Sequence, residues 1–565
     1  MSIWRNITQK LTQVPKAEAK SVARNRLFLA SALAASCFVL ISGKVIALST
    51  DVKPKTFYGK SDENIVERGR ILDRNGRVLA TSLPAFMLYV DPAEVMNPYE
   101  ATAKLEDILP HLSEEEIFSR VTKKSRFVEL SWRVSPQKYA KALERGVVGV
   151  YGRKRITRFY PQRQEAAHVI GLVNKDNQGL IGIEAGMNDA LTRGEDVHLS
   201  IDIAVQSILR NEIQEQIEKF EAIGGAGVVI DVRTGELVSL VSLPEYDNNH
   251  YSSTTEDQRF NRATKGIYEM GSTFKILNTA MALDSGKFTA TDMIDVVSPL
   301  RVGRFPIRDF KKEKKPLNVA EVMVVSSNKG SARIADELGA DVQKQYLKEL
   351  GLLNRLDLEI PETAAPLAPQ TWRRSSVMTV SYGHGISVSP AHLAAAIATS
   401  LGDGKKVVPS LIKGGAQKDF EEEVFSEQTV RDVRAIIRNV VTHKRGTGKF
   451  ADAKGYIVGG KTGTSEKNKA GGYHKNLNIA SFVAGFPAHD PRYVVVVMVD
   501  EPKPQKFSHG YATGGWVAAP AVGRFINRAA FLLDVAPANE KSPEIRRLLK
   551  VELPQLDAEV RNASF

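Results

Sequence analysis

A single cysteine, Cys37, stands among the 565 residues, so the chain can form no intrachain disulfide, and no cysteine–histidine cluster suited to zinc is visible. Internal repeats and low-complexity tracts are also lacking. The net charge of +12 is not gathered into a patch. Its densest basic run, Lys311-Lys312-Glu313-Lys314-Lys315, is short and has no aromatic residues interleaved, so it reads as a solvated loop and no nucleic-acid partner is expected. What remains is a globular composition, 43% hydrophobic and 25% charged, on a chain too long for one ordinary core. Two or three domains are expected.

One run is apolar for long enough to matter. Residues 27–43, "LFLASALAASCFVLISG", are uncharged; Lys44 interrupts where it can snorkel, and "VIAL" continues to Leu48. At about 1.5 Å per residue, a helix over 27–48 crosses a hydrocarbon core of roughly 30 Å. The 26 preceding residues carry six basic side chains (Arg5, Lys10, Lys16, Lys20, Arg24, Arg26) against one acid, Glu18. The positive-inside rule keeps that end cytoplasmic and exports the rest. "ALAASC" admits a cleavable signal, even lipoprotein processing, but Cys37 lies mid-span with apolar sequence on both sides. An uncleaved, single-pass anchor is the reading.

Beyond the anchor, "RGRILDRNGRVLATSLPAFMLYVDP" (68–92) alternates around Asn75-Gly76 and predicts a hairpin. Residues 101–146 have helical period, 155–173 read as loop and strand, and 178–191 open on glycines and turn helical. A new rhythm starts near Val197. A helix over 203–220 precedes a hairpin, "AGVVIDV" and "LVSLVSL" around Arg233-Thr234-Gly235-Glu236. Helices follow at 272–285, about 318–350, 391–401 and 428–441; strands return at 480–487 and 492–500, and a helix covers 516–533. Hairpin first, helices in the middle and strands last predict an α/β (α+β) domain, one antiparallel sheet built from both ends with helices against it.

The chemistry is carried by three short motifs. Ser272-Thr273-Phe274-Lys275 opens the helix at 272–285. Ser-x-x-Lys alone says little, since Ser135/Lys138, Ser326/Lys329 and Ser410/Lys413 have the same spacing and a serine at a helix start usually caps it. Ser272 differs because Gly271 permits a tight entry, and i and i+3 share a helix face, so Lys275 can lie beside the hydroxyl. The helix N-terminus adds partial positive charge where an oxyanion would form, and a lysine whose pKa is lowered by burial and nearby cations can act as base. Ser326-Ser327-Asn328 is the one Ser-x-Asn in the chain, and Lys461-Thr462-Gly463-Thr464 contains the one Lys-Thr-Gly. Gly459 and Gly460 before it lack phosphate-loop spacing, and "GTGKF" (446–450) fails because Phe450 follows its lysine.

Ser-x-x-Lys, Ser-x-Asn and Lys-Thr-Gly in that order form the signature of penicillin-interacting serine acyl-transfer enzymes. With "RGRILDRNGRVLA" (Arg68, Gly69, Asp73, Arg74, Gly76), "YPQRQEAAHVIG", "QGLIGIE" ending at Glu184, and "YGHGISVSPAHLA", the exported body resembles the class B penicillin-binding proteins, most of all their division-specific (septal) type. It departs from the family at Arg163, where glycine is frequent, at Met270, where proline is frequent before Gly-Ser, and in "PEYDNN", which lacks a common proline.

The resemblance implies a cytoplasmic tail (1–26), a transmembrane anchor (27–48), an α+β pedestal of the dimerisation type (49–195), a transpeptidase domain with helices on both faces of its sheet (196–545) and a C-terminal tail (546–565), in the inner membrane with the catalytic domain periplasmic. It implies a D,D-transpeptidase that needs no metal or cofactor. Ser272 would be the nucleophile and Lys275 its base. Ser326 and Asn328 would relay the leaving-group proton and hold the peptide amide. Lys461, Thr462, Gly463 and Thr464 would form an edge strand binding the substrate carboxylate, and the N–H groups of Ser272 and Thr464 an oxyanion hole. The implied partners are peptidoglycan stem peptides ending in D-Ala-D-Ala, β-lactams as inhibitors, a polymerising membrane glycosyltransferase and other divisome proteins. Histidines 384, 392 and 474 are expected to serve structure or binding. Three alternatives share the motifs or the fold: an elongation-type transpeptidase, a D,D-carboxypeptidase or β-lactamase-like hydrolase in which water replaces the amine, and an inactive divisome scaffold.

Overall fold

The computed structural model describes residues 16–50, 67–303, 305–415, 422–469 and 472–562. Arg5 and Lys10 of the basic tail lie outside the described residues, as does the side chain of His474. The N-terminal helix runs Lys16–Thr50, and Arg24–Val45 within it is long and apolar enough to cross a membrane. Leu27, Phe28, Leu33, Phe38 and Leu40 on it are each about two-thirds exposed or more, the arrangement expected of side chains that face lipid.

Contacts divide the chain into two compact units, Met1–Ile65 with Phe86–Lys154, and Val66–Ala85 with Arg155–Phe565. In the first, helices Pro98–Leu105 and Glu114–Val121 cover a small core around Leu88, Leu105, Ile117 and Leu130. Ser113 and Glu116 close a capping box on the second helix. The helical period expected throughout 101–146 fails at Val128–Val134, a strand paired antiparallel with 86–90. Its alternating Val128, Leu130 and Val134 bury one face, so strand period wins locally.

In the second unit the hairpin at Asn75-Gly76 forms as expected: Ile71–Leu72 pairs antiparallel with the start of Val78–Val90. Asp73, fully buried, accepts the N–H groups of Asn75 (2.9 Å) and Arg77 (2.8 Å), and Gly76 takes the left-handed φ of +82° that the turn requires. Glu184 is fully buried between two guanidinium groups, Arg68 at 2.7 Å and Arg158 at 2.6 Å. These residues knit the unit together. Arg163, a departure from the resembled family's pattern, also holds a left-handed backbone (φ +56°), a conformation costing a side-chain-bearing residue roughly 1 kcal/mol.

The catalytic body is built on five strands, labelled here β1 (Gly224–Asp231), β2 (Leu237–Leu243), β3 (Gly459–Lys469), β4 (Gly472–Phe486) and β5 (Tyr493–Asp500). Their order is β3-β4-β5-β1-β2, antiparallel throughout, with β3 on the edge. "YVVVVMVD" is buried at every position because both faces of the sheet are covered. Val228, Ile230, Val494, Val496 and Met498 enter one core with α2 (Phe274–Asp284) and α5 (Pro390–Leu401); Val229, Val495 and Val497 enter another with α1 (Ile203–Lys219) and α7 (Gly514–Ala529). The single helix expected over 318–350 is instead three: α3 (Val319–Val324), α4 (Asn328–Leu338) and Ala340–Glu349. The breaks fall at Ser326 (φ +62°) and Gly339 (φ +88°), neither of which can continue a right-handed helix. α6 (Glu427–Thr442) packs beside α2 and α3, and residues 546–565, read as a tail, contain α8 (Pro554–Asn562).

Candidate active site

Ser272 sits in a single 3₁₀ turn, Gly271–Thr273, that leads directly into α2. Gly271 holds φ +56°, and a Cβ there would meet Thr464 O at 2.8 Å and Thr464 N at 3.2 Å. The turn is wedged on two more sides: a Cβ on Gly383 would strike Gly271 O at 2.1 Å, and one on Gly463 would lie 2.5 Å from Met270 O. The glycines of "YGHG" and Lys-Thr-Gly thus let two backbones close on the serine turn, which brings Ser272 beside Thr464. Met270 is fully buried, and its carbonyl accepts Thr273 Oγ1 at 2.9 Å.

Ser272 is half-buried, and its hydroxyl has no hydrogen-bond partner among the described residues. The other serines of the same spacing are occupied. Ser135 Oγ caps a helix by accepting Lys138 N at 3.3 Å, and Ser410 Oγ donates to Glu359 at 2.5 Å. A capping role does not explain Ser272.

Lys275, one helical turn on, is buried at 1% exposure. Its Nζ donates to Ser326 O (2.6 Å), Ser326 Oγ (3.1 Å) and Asn328 Oδ1 (2.7 Å). The first two motifs are therefore joined through the lysine, and the left-handed backbone at Ser326 turns both of its oxygens onto one ammonium. Burial first, then the charge of Lys461, push the Lys275 pKa well below the ordinary lysine value, with Asp309 opposing. Lys461, on edge strand β3, is fully buried, donates to Thr462 O (3.1 Å) and Thr462 Oγ1 (3.3 Å), and is pushed down by burial to about 7. Thr462 Oγ1 lies 2.8 Å from Thr447 Oγ1, and Thr464 Oγ1 accepts Gly514 N at 3.0 Å. The structure thus brings Ser272, Lys275, Ser326, Asn328 and Lys461 to Thr464 together, but it shows no hydrogen bond between Ser272 and Lys275. Proton-transfer contacts of this kind commonly tighten only with substrate bound.

Of the histidines, His392 is buried, held between Ser389 Oγ (2.7 Å) and Asn354 O (3.0 Å), and lowered by burial to about 4, which fits a structural part. His384 contacts Tyr382 O at 3.4 Å, beside the serine turn.

The residue that sequence reasoning missed is Asp309. Its Oδ1 accepts the N–H groups of Asn328 (2.5 Å) and Lys329 (3.0 Å), and its Oδ2 accepts Ser327 Oγ at 2.9 Å. Next to it, Arg308 O takes Asn328 Nδ2 at 3.0 Å, which leaves the amide oxygen for Lys275. The only sequence signal is an acid just ahead of the Lys311–Lys315 run, too weak to find it. Asp309→Asn is expected to slow acylation by a labelled β-lactam about tenfold to a hundredfold, the 1.5–3 kcal/mol of charge-assisted bonds. Stopped-flow acylation rates check it; a rate within twofold of the parent would show that the Ser-x-Asn segment holds its shape unaided.

Two family models match. "Penicillin binding protein transpeptidase domain" covers residues 225–527, and "Penicillin-binding Protein dimerisation domain" covers 63–200. Among curated relatives, the probable peptidoglycan D,D-transpeptidase FtsI of Caulobacter vibrioides is 36% identical over 95% of both chains, and the peptidoglycan D,D-transpeptidase FtsI of Escherichia coli is 28% identical over 83% of this chain and 84% of its own. Among solved structures, penicillin binding protein 3 from Mycobacterium tuberculosis, complexed with aztreonam, superposes with a TM-score of 0.67 at 22% identity, covering 84% of this chain and 98% of its own.

Proposed function

The chain belongs to the class B penicillin-binding proteins, and from that premise we propose that it is a peptidoglycan D,D-transpeptidase of the division type. The observation that carries the chemistry is one arrangement: a serine hydroxyl unpartnered among the described residues, one helical turn from a buried lysine whose Nζ already contacts Ser326 and Asn328. The division role rests on the 36% identity with the Caulobacter protein, whose name gives it as probable peptidoglycan D,D-transpeptidase FtsI.

In the proposed reaction neutral Lys275 takes the Ser272 proton as Oγ attacks the carbonyl between the two terminal D-alanines of a stem peptide. The N–H groups of Ser272 and Thr464 receive the oxyanion, at roughly 3–4 kcal/mol per donor. The C–N bond breaks, the proton returns through Ser326 to the departing D-alanine, and an ester remains on Ser272. Asn328 holds the peptide amide, and protonated Lys461, with Thr462 and Thr464, binds the terminal carboxylate. An amine from a second stem peptide then attacks the ester and gives up its proton to Lys275; the ester C–O bond breaks, Lys275 returns that proton to Ser272 Oγ, and the cross-linked amide leaves. Incubation of the enzyme with a labelled stem peptide and an acceptor amine should release D-alanine and yield the cross-linked amide. Release with water as the sole acceptor would make it a hydrolase, and no reaction with peptide or β-lactam would leave a scaffold. Depletion that leaves constriction untouched would remove the division role.

The helix at Arg24–Val45 is proposed to anchor the chain once in the inner membrane, with the tail at 1–26 cytoplasmic and the pedestal (49–195) and transpeptidase domain (196–545) periplasmic. The six-to-one basic excess before residue 27 supports that orientation. A reporter active only outside the cytoplasm should work when fused after Phe565; activity only when it is fused near Lys20 would reverse the topology. A polymerising glycosyltransferase and other divisome proteins are the proposed partners of the anchor and pedestal.

A further inference from the structure

The segment Val551 to Asn562 lies outside the family's transpeptidase match, yet it is tied to the stems of both the Ser-x-Asn and Lys-Thr-Gly elements. Leu553 and Leu556 are buried in the main core, at 4% and 0% exposure. Glu321 on α3 is fully buried and caps two helices at once. Its Oε2 accepts Asn318 N (3.0 Å) at the start of α3, and its Oε1 accepts Gln555 N (2.7 Å) and Leu556 N (3.0 Å) at the start of α8. Asn318 Nδ2 adds a bond to Glu552 O at 2.9 Å. A carboxylate accepting three N–H groups in a dry site is satisfied only while both helix ends stay in place.

α3 delivers the motif. Ser326 follows it by two residues, its N–H bonds Met323 O at 3.1 Å, and the next residue's N–H bonds Val322 O at 2.9 Å. Two more ties run from Arg445, which bonds Glu559 on α8 (2.5 Å) and Glu313 (2.6 Å). Glu313 is the inward-facing residue of the otherwise exposed lysine run, four positions beyond Asp309. Arg445 itself lies two residues before Thr447, whose hydroxyl meets Thr462 Oγ1 at 2.8 Å. One short segment therefore touches α3 directly and, through Arg445, is tied to Glu313 beyond Asp309 and to the approach to β3.

We propose that residues 551–562 are a positioning element of the active site, a strap that holds Ser326 and Asn328 at their working distance from Lys275 and from the Lys461 strand. It contacts no substrate and acts through Glu321 and Arg445. This rests on the proposed function only in taking β-lactam acylation of Ser272 as the readout.

The test compares the full chain in detergent with a chain ending at Lys550. Labelled penicillin is titrated so that noncovalent affinity (K) separates from the acylation step (k2). Truncation should leave K within about twofold and lower k2 about tenfold, and a synthetic peptide of residues 551–565 added in trans should restore k2 saturably. A merely structural loss would lower the active fraction and leave k2 of the surviving molecules unchanged. Should the truncated chain not fold, Glu321→Gln and Glu559→Ala decide, each expected to reduce k2 threefold or more at unchanged K. Parent k2 in a folded truncated chain, or in both substituted chains, would overturn the proposal. Failure of the parent itself to label at Ser272 would instead overturn the proposed function.

Discussion

Ser272→Ala should leave the protein folded and reduce covalent labelling by fluorescent penicillin to background, a loss of about 10⁴-fold or more, as when the nucleophile of a serine acyl enzyme is removed. The fold is expected to survive because Ser272 Oγ holds nothing in place. It is half-buried, makes no hydrogen bond among the described residues, and is not the group that shapes its turn. That shape comes from Gly271 against Thr464 and from Thr273 Oγ1 on Met270 O. The melting temperature should therefore stay within roughly 2 °C of the parent. Peptide mapping by mass spectrometry is the decisive readout, since a penicilloyl group found on another serine would refute the assignment whatever the rate.

Lys275→Arg should lower acylation nearly as far, and for a different reason. A guanidinium stays protonated at any working pH, so it can contact Ser326 and Asn328 but cannot accept the Ser272 proton. Lys461→Arg should lose less, because its proposed task needs only a positive charge, although the larger head must fit a fully buried site. Equal activities for the two arginine variants would remove the division of labour. The pH behaviour follows the same split. Burial and Lys461 lower the Lys275 pKa, so k2 should rise as pH climbs through it and the base loses its proton. Lys461, pushed down by burial to about 7, must be charged to hold a carboxylate, so K should weaken as pH rises above that value. The ratio k2/K is then bell-shaped. Lys461→Arg should flatten its alkaline limb alone, measured as acylation rates from pH 5 to 10.

The two buried lysines also make a stability statement. The unfolded chain binds protons at lysine up to about 10.5, whereas folded Lys461 releases its proton near 7. Between those values the unfolded state holds more protons, so this pair makes the fold more stable as pH rises across that window and less stable below it.

Much of this protein was legible in the order of its residues. Period and turn chemistry located the hairpin at Asn75-Gly76, helix α1, the hairpin of β1 and β2, and strand β5; that both faces of the sheet are covered came from the resemblance and the structure. Local patterns are readable where one element's own period decides its state. The same reasoning drew one helix through 318–350, because apolar residues recur at helical spacing on both sides of Ser326-Ser327-Asn328. The left-handed turn at Ser326 is imposed from outside, by Lys275 on its oxygens and Asp309 on the residues that follow.

The candidate site divides in the same way. Sequence alone named Ser272, Lys275, Ser326, Asn328 and Lys461, because reactive groups must be of particular types at particular spacings. It could not rank Ser272 against Ser135 by spacing, which is identical; burial and hydrogen bonding separate them. Nor could it find Asp309, Glu321 or the 551–562 strap. Asp309 reaches the N–H groups 19 and 20 residues ahead and Glu321 those more than two hundred residues ahead; every residue possesses such groups, and a backbone donor leaves no mark in the side-chain alphabet. The serine and lysines proposed for the reaction, and the order of their motifs, came from the sequence. Where their oxygens and protons point was decided only when distant segments closed around them, because hydrogen bonds and desolvation depend on distance in space and not on distance along the chain.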